Sequence, residues 1–174
     1  MTPRALASLH QIQLSFVAEE DRLLLRVSTK DHQELRFWLT RRLVIRLWPL
    51  LVEQLASHEQ IAAQVDPESR RTVLEFRHEA ALTGADFQSP FREDSTEMPL
   101  GPEPVLVAKA RVRRGEGPSW SLWLLPKAGS GMQLTLTEGM LHSLSKMLAE
   151  TVAKAEWGID APLGTAAERP ARLN

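Results

Sequence analysis

The 174-residue sequence predicts an α+β domain of two related strand-strand-strand-helix units, antiparallel meanders with helices packed on one face, plus an extra connecting helix. Three observations carry that prediction. Period-two apolar alternation turns into helical apolar spacing within two residues around Leu39-Thr40-Arg41, as when a half-buried strand runs into an amphipathic helix. The same switch recurs at Leu136-Thr137-Glu138. A single offset of 97 positions, Thr40 to Thr137, also carries Leu43, Val44, Leu47, Leu51 and Leu55 onto Met140, Leu141, Leu144, Leu148 and Val152, so the pattern reads as one unit used twice.

In chain order, MTPRALASLHQ is a short lead, and Ile12, Leu14 and Phe16 alternate with polar residues as a first strand. Ala18 to Asp21 is a polar turn; Leu23, Leu25 and Val27 mark a second strand, and Leu35, Phe37 and Leu39 a third. Thr40 is a good N-cap, since its hydroxyl can accept from a free N–H of the first helical turn, so a helix is predicted over 41–57. Its apolar surface is broad, with Ile45, Trp48 and Val52 on a second flank, and these three are the candidate contacts to the other unit or to a second copy of the chain. Asp66-Pro67-Glu68 is a helix start, with a cap, Pro in the first position and an acid at the positive end of the dipole, which predicts a connecting helix over 67–82. Residues 86–103 carry five acids with Pro90, Pro99 and Pro102 and few aliphatics, and read as a surface loop or partly disordered linker with little to bury.

The second unit follows with strands predicted over 105–113, 120–125 and 132–136, turns at Gly115 to Pro118 and Lys127 to Gly131, and a helix over 138–156. The expected divisions are therefore 1–58 for the first unit, 59–103 for the connecting helix and loop, 104–158 for the second unit and 159–174 for a flexible tail, all within one compact domain.

Composition bounds the function. Hydrophobic residues at 43% and charged residues at 25% suit a soluble globular chain. A formal charge of -1 gives no global attraction to nucleic acid or an anionic membrane, so any basic site must be local. The absence of cysteine excludes disulfides, thiol catalysis and thiolate metal sites. With no apolar signal core near the start, a cytoplasmic protein is expected, and no membrane partner, because arginines, Pro49 and Glu53 interrupt the longest apolar run.

Catalytic and metal chemistry find little footing. Glu75 and His78 share a helix face at the spacing of carboxylate-bridged metal sites, but neither main helix offers matching ligands, so they read as a solvated face. His10, His32, His58 and His142 stand apart and read as surface residues. There is no GxSxG, and Gly129-Ser130-Gly131 is too short for a phosphate loop. No enzyme, cofactor or metal is expected.

The most suggestive constellation is basic and aromatic residues on strands. Lys109, Arg111 and Arg113 share one strand face, Arg26 and Arg36 point outward from the first meander, and Trp38, Trp120 and Trp123 lie nearby in pattern. Cations that meet phosphates and indoles that stack on bases would suit single-stranded DNA or RNA. Trp120 and Trp123, three apart, must face opposite sides of their strand. The same letters would serve a face that meets another protein, so an adaptor or assembly subunit is the alternative. The doubled meander-plus-helix layout resembles that of the Whirly and PUR-repeat single-strand binders, which have four strands per unit where three are read here; no sequence motif of those families carries over.

Overall fold

The computed structural model describes residues 4–5 and 9–160 and has the predicted α+β class, with each meander running directly into a helix. The first unit comprises β2 (Leu9–Val17), β3 (Arg22–Thr29), β4 (Glu34–Thr40) and α1 (Arg41–Ala56), preceded by a two-residue β1 (Arg4–Ala5). A short α2 (Glu59–Ala62) and α3 (Pro67–Thr83) lead into the loop, then β5 (Val105–Leu106), β6 (Lys109–Arg114), β7 (Ser119–Leu125), β8 (Met132–Thr137) and α4 (Glu138–Lys154). The caps are those the sequence supplies. Thr40 Oγ1 accepts from the Leu43 amide at 3.2 Å, Thr137 Oγ1 from Met140 at 3.3 Å, and Asp66 Oδ1 from Ser69 at 2.8 Å, each satisfying an amide that the first turn leaves free.

The units exchange strands. Sheet I has the order β2-β3-β4-β5 and sheet II β1-β8-β7-β6. Each sheet thus has four strands rather than three, the fourth being a short parallel strand from the segment that leads into the other meander. The strand predicted over 105–113 is in fact two. Val107 N–H donates to the Trp38 carbonyl at 3.1 Å and the next amide, Ala108, to Leu125 at 2.9 Å, so the chain leaves sheet I and enters sheet II between those residues.

The helices are exchanged as well, α1 packing along β6 and α4 along β2. One core results. It joins Leu23, Leu25, Val27, Leu35, Phe37 and Leu39 of sheet I to Trp120, Leu122, Leu124, Met132, Leu134 and Leu136 of sheet II, with Leu43, Val44, Leu47, Leu51, Leu55 of α1 and Leu141, Leu144, Leu148 of α4 between them. Each such aliphatic side chain contributes about 1.5–3 kcal/mol by leaving water. Register is strongly fixed, because a one-residue slip of β3 would carry Arg26 and Ser28 into the core in place of Leu25 and Val27.

The fold places both the second flank of α1 and the 86–103 segment. Trp48 is 6% exposed and belongs to this core, with its Nε1 lacking a hydrogen-bond partner; Val52 packs partly against it, and only Ile45, 49% exposed, remains open to a partner. The 86–103 segment is no loose linker, for it lies on the outer face of sheet I. The Arg92 amide donates to Gln11 Oε1 at 2.9 Å, Gln11 Nε2 to the Pro90 carbonyl at 3.1 Å, and the Glu34 amide to the Glu97 carbonyl at 2.9 Å. Trp157, next to the predicted tail, is buried edge-on against Phe16 and donates to Asp21 Oδ1 at 2.8 Å. The rest of the expected tail, from residue 161, lies outside the described residues.

Candidate nucleic-acid interface

Strand alternation sorts the eight basic and aromatic residues onto different surfaces. On sheet I, Arg26 and Arg36 are cross-strand partners facing outward, with Trp38 and Leu24 the next outward pair. Both arginines are engaged inside the molecule. Arg26 Nε donates to Glu34 Oε1 at 2.8 Å, and its terminal nitrogens form a two-pronged bond to Glu93 at 2.8 and 2.7 Å. Its guanidinium also lies 4.3 Å from the centre of the Phe91 ring. Arg36 Nε donates to the same Glu34 oxygen at 2.7 Å.

Glu34 is buried, and that burial alone would raise its pKa; the bonds from Arg26 and Arg36 outweigh it and hold the carboxyl below the ordinary range. The Glu93 bond raises the Arg26 pKa above its already high value. These charges hold the 86–103 segment to its sheet, and Arg26 is not free to meet a phosphate. Trp38 stays partly open beside Leu106 of β5.

Sheet II differs. Lys109, Arg111 and Arg113 are exposed on the outward face of β6, facing Leu125, Trp123 and Ser121 across the ladder to β7, and Gln133 and Thr135 of β8 continue the surface. Among the described residues none of the three cations has a carboxylate partner. Trp123 stands in the middle of the row, partly exposed. Trp120 points the other way, 3% exposed in the core, so it presents no ring to a base. Local backbone chemistry sharpens the hairpins around this face: Gly117 has φ +64°, which glycine alone adopts at no steric cost, and a Cβ on Gly131 would come within 2.9 Å of the Leu124 carbonyl.

Sequence reasoning missed one buried polar pair. His78 of α3 and His142 of α4, both read as surface residues, are each 1% exposed and meet Nδ1 to Nδ1 at 2.9 Å. One ring must donate and the other accept. The Nε2 of His142 lies 3.9 Å from Glu138, which accepts a 2.6 Å bond from Arg77; His142 carrying its proton on Nε2 and accepting at Nδ1 from His78 satisfies both contacts. Burial, reinforced by the other imidazole, lowers the His142 pKa to about 4 against the pull of Glu138. Burial and Lys146 lower that of His78, against Glu79. The pair therefore packs as neutral rings that lock α3 to α4. Among the described residues no three His, Asp or Glu side chains gather closely enough to hold a metal.

A sizeable concavity lies elsewhere. It is a cleft of about 1000 Å³ between β2, α4 and the segment after α3, walled by Leu9, Ile12, Phe87, Phe91, Met140 and Met147, and it includes none of the eight residues. No helix among the described residues is long and apolar enough to cross a membrane. No protein-family model matches the chain, and neither does any curated protein or any solved structure.

Proposed function

We propose that the protein is a non-enzymatic cytoplasmic binding protein that takes single-stranded DNA or RNA on the outer face of sheet II. The observation that carries the reading is the row of Lys109, Arg111 and Arg113, exposed, free of carboxylates among the described residues and set across from Trp123. Cations on alternate positions of one strand follow a phosphate chain, and a neighbouring indole offers a base a surface to stack on. Arg26, Arg36 and Trp120 drop out of the binding set.

Fluorescence anisotropy of labelled single-stranded DNA and RNA across a salt series tests this. The three phosphate contacts on this face contribute about -2 to the logarithmic salt slope, at roughly 0.7 per contact, and Arg111→Ala/Arg113→Ala removes about two thirds of that contribution. No binding at micromolar protein in low salt, or binding indifferent to that pair, overturns the reading. The alternative, an adaptor or assembly subunit, draws on Phe76 and Val65, which are 70% and 93% exposed; a dimer mass by light scattering together with no nucleic-acid binding would favour it.

A further inference from the structure

The arginines of this protein divide by location. Arg22, Arg26, Arg36, Arg71, Arg77 and Arg92 each meet a carboxylate. Among the described residues Arg41, Arg42, Arg46, Arg70, Arg111, Arg113 and Arg114 do not, and of these only Arg70 lies away from α1 and β6, where it donates instead to the Gln64 carbonyl. Those two elements pack along each other.

The concentration is unusual for a chain of formal charge -1. Residues 41–56 and 109–125 hold seven cations and only two carboxylates, Glu53 and Glu116, neither of which pairs with an arginine among the described residues. It also runs against local helix physics. The first turn of α1 contains Arg41 and Arg42 and no acid, although the positive end of a helix dipole disfavours cations; the first turns of α3 and α4 carry Glu68 and Glu138. Among the described residues no ion pair or side-chain hydrogen bond uses the three α1 arginines. Arg41, Arg42 and Arg46 are exposed together with Ile45.

The two basic rows begin at one corner. The Val107 amide is bonded to the Trp38 carbonyl; two residues beyond Val107 stands Lys109, and three beyond Trp38 stands Arg41. We infer that the anionic strand bound on sheet II continues onto the exposed face of α1, where Arg41, Arg42 and Arg46 hold its phosphates as a second segment of the site. The inference rests on the reading of sheet II as a single-strand surface, and charge complementarity commits it to a polyanion. Phosphates supply what the helix start lacks, a negative charge at its positive end.

Salt-dependent anisotropy on two lengths of single-stranded DNA tests it, roughly 5 and 15 nucleotides, near the two ends of the common range of site sizes. Arg42→Gln/Arg46→Gln, on an exposed helix face, keeps the fold, checked by the thermal transition. With the longer strand this variant lowers the magnitude of the salt slope by about 1.4, and Arg42→Lys/Arg46→Lys restores it. With the shorter strand it binds as wild type does. Wild-type behaviour on both lengths, or equal loss on both, overturns the continuation while leaving the sheet II reading intact. If wild type binds neither strand, or ignores Arg111→Gln/Arg113→Gln, the sheet reading has failed first. Tighter binding of a duplex than of the single strand of equal length overturns the choice of partner.

Discussion

The outer faces of the two sheets occupy corresponding places in the fold and treat positive charge in opposite ways. On sheet I, Arg26 and Arg36 converge on a buried Glu34, and Glu93 and Phe91 from the 86–103 segment cover Arg26 from above. On sheet II, Lys109, Arg111 and Arg113 stand in solvent around Trp123 with no carboxylate partner among the described residues. Both faces read as basic in the sequence. The difference teaches that compensation, more than the number of cations, separates a charge that holds the molecule together from one available to a partner.

That contrast can be broken most forcefully at Arg26. Arg26→Ala leaves Glu34 buried with Arg36 alone and should cost about 3 kcal/mol, the low end for breaking a buried pair because one partner remains. For a chain of this size the Tm then falls by about 6–12 °C. Arg111→Ala should stay within about 0.5 kcal/mol of wild type, as exposed substitutions do. Comparable losses in the two variants, by thermal denaturation, would erase the distinction.

A somewhat smaller effect is expected from acid at the His78–His142 lock, which holds α3, the element that leads into the covering segment, against α4. The folded-state pKa of both rings is depressed, to about 4 for His142. As pH falls below about 6.5 the unfolded chain takes up protons that the folded chain refuses, so the stability contribution, complete above that pH, is lost progressively down to about pH 4. Between pH 7 and pH 5 the loss through His142 is on the order of 2 kcal/mol, the roughly 1.5 pH units from about 6.5 to 5 at about 1.4 kcal/mol per unit. Urea midpoints at pH 7 and pH 5 should differ in wild type and differ less in His142→Gln. A pH-independent midpoint across that window would show that the rings are not held neutral. Smallest of all, Glu93→Gln removes an exposed carboxylate from Arg26 while Glu34 remains, and should leave the urea midpoint almost unchanged, because solvent screens an exposed pair; a midpoint shift as large as that of Arg26→Ala would mean the covering segment carries far more of the fold.

How much of this was legible depends on the range of the interactions. Thr40, Thr137 and Asp66 announced their helices because a cap and the spacing it precedes are local, and the three long helices begin where the sequence puts them. The orientation of Trp123 was present in the letters too, since Trp120, Leu122 and Leu124 share one parity and Ser119 and Ser121 the other. What stayed hidden joins distant residues. Arg26 and Glu93 are 67 positions apart and His78 and His142 64, and no periodicity relates them. A two-residue strand such as β1 or β5 has no period to detect, so the exchange of strands between the units was invisible, and with it the corner that brings Lys109 toward the start of α1.

The central claim, that the uncovered face binds and the covered one does not, is tested most directly by tryptophan fluorescence during titration with single-stranded DNA at low salt. Trp123 and Trp38 stand on the two outer faces and can be replaced one at a time by Phe. A stacked indole is quenched by its base, and the contact is worth about 1–3 kcal/mol. The account predicts quenching in wild type that persists in Trp38→Phe and is abolished in Trp123→Phe. Quenching that survives in Trp123→Phe and disappears in Trp38→Phe, or no quenching at all at micromolar protein, would contradict it.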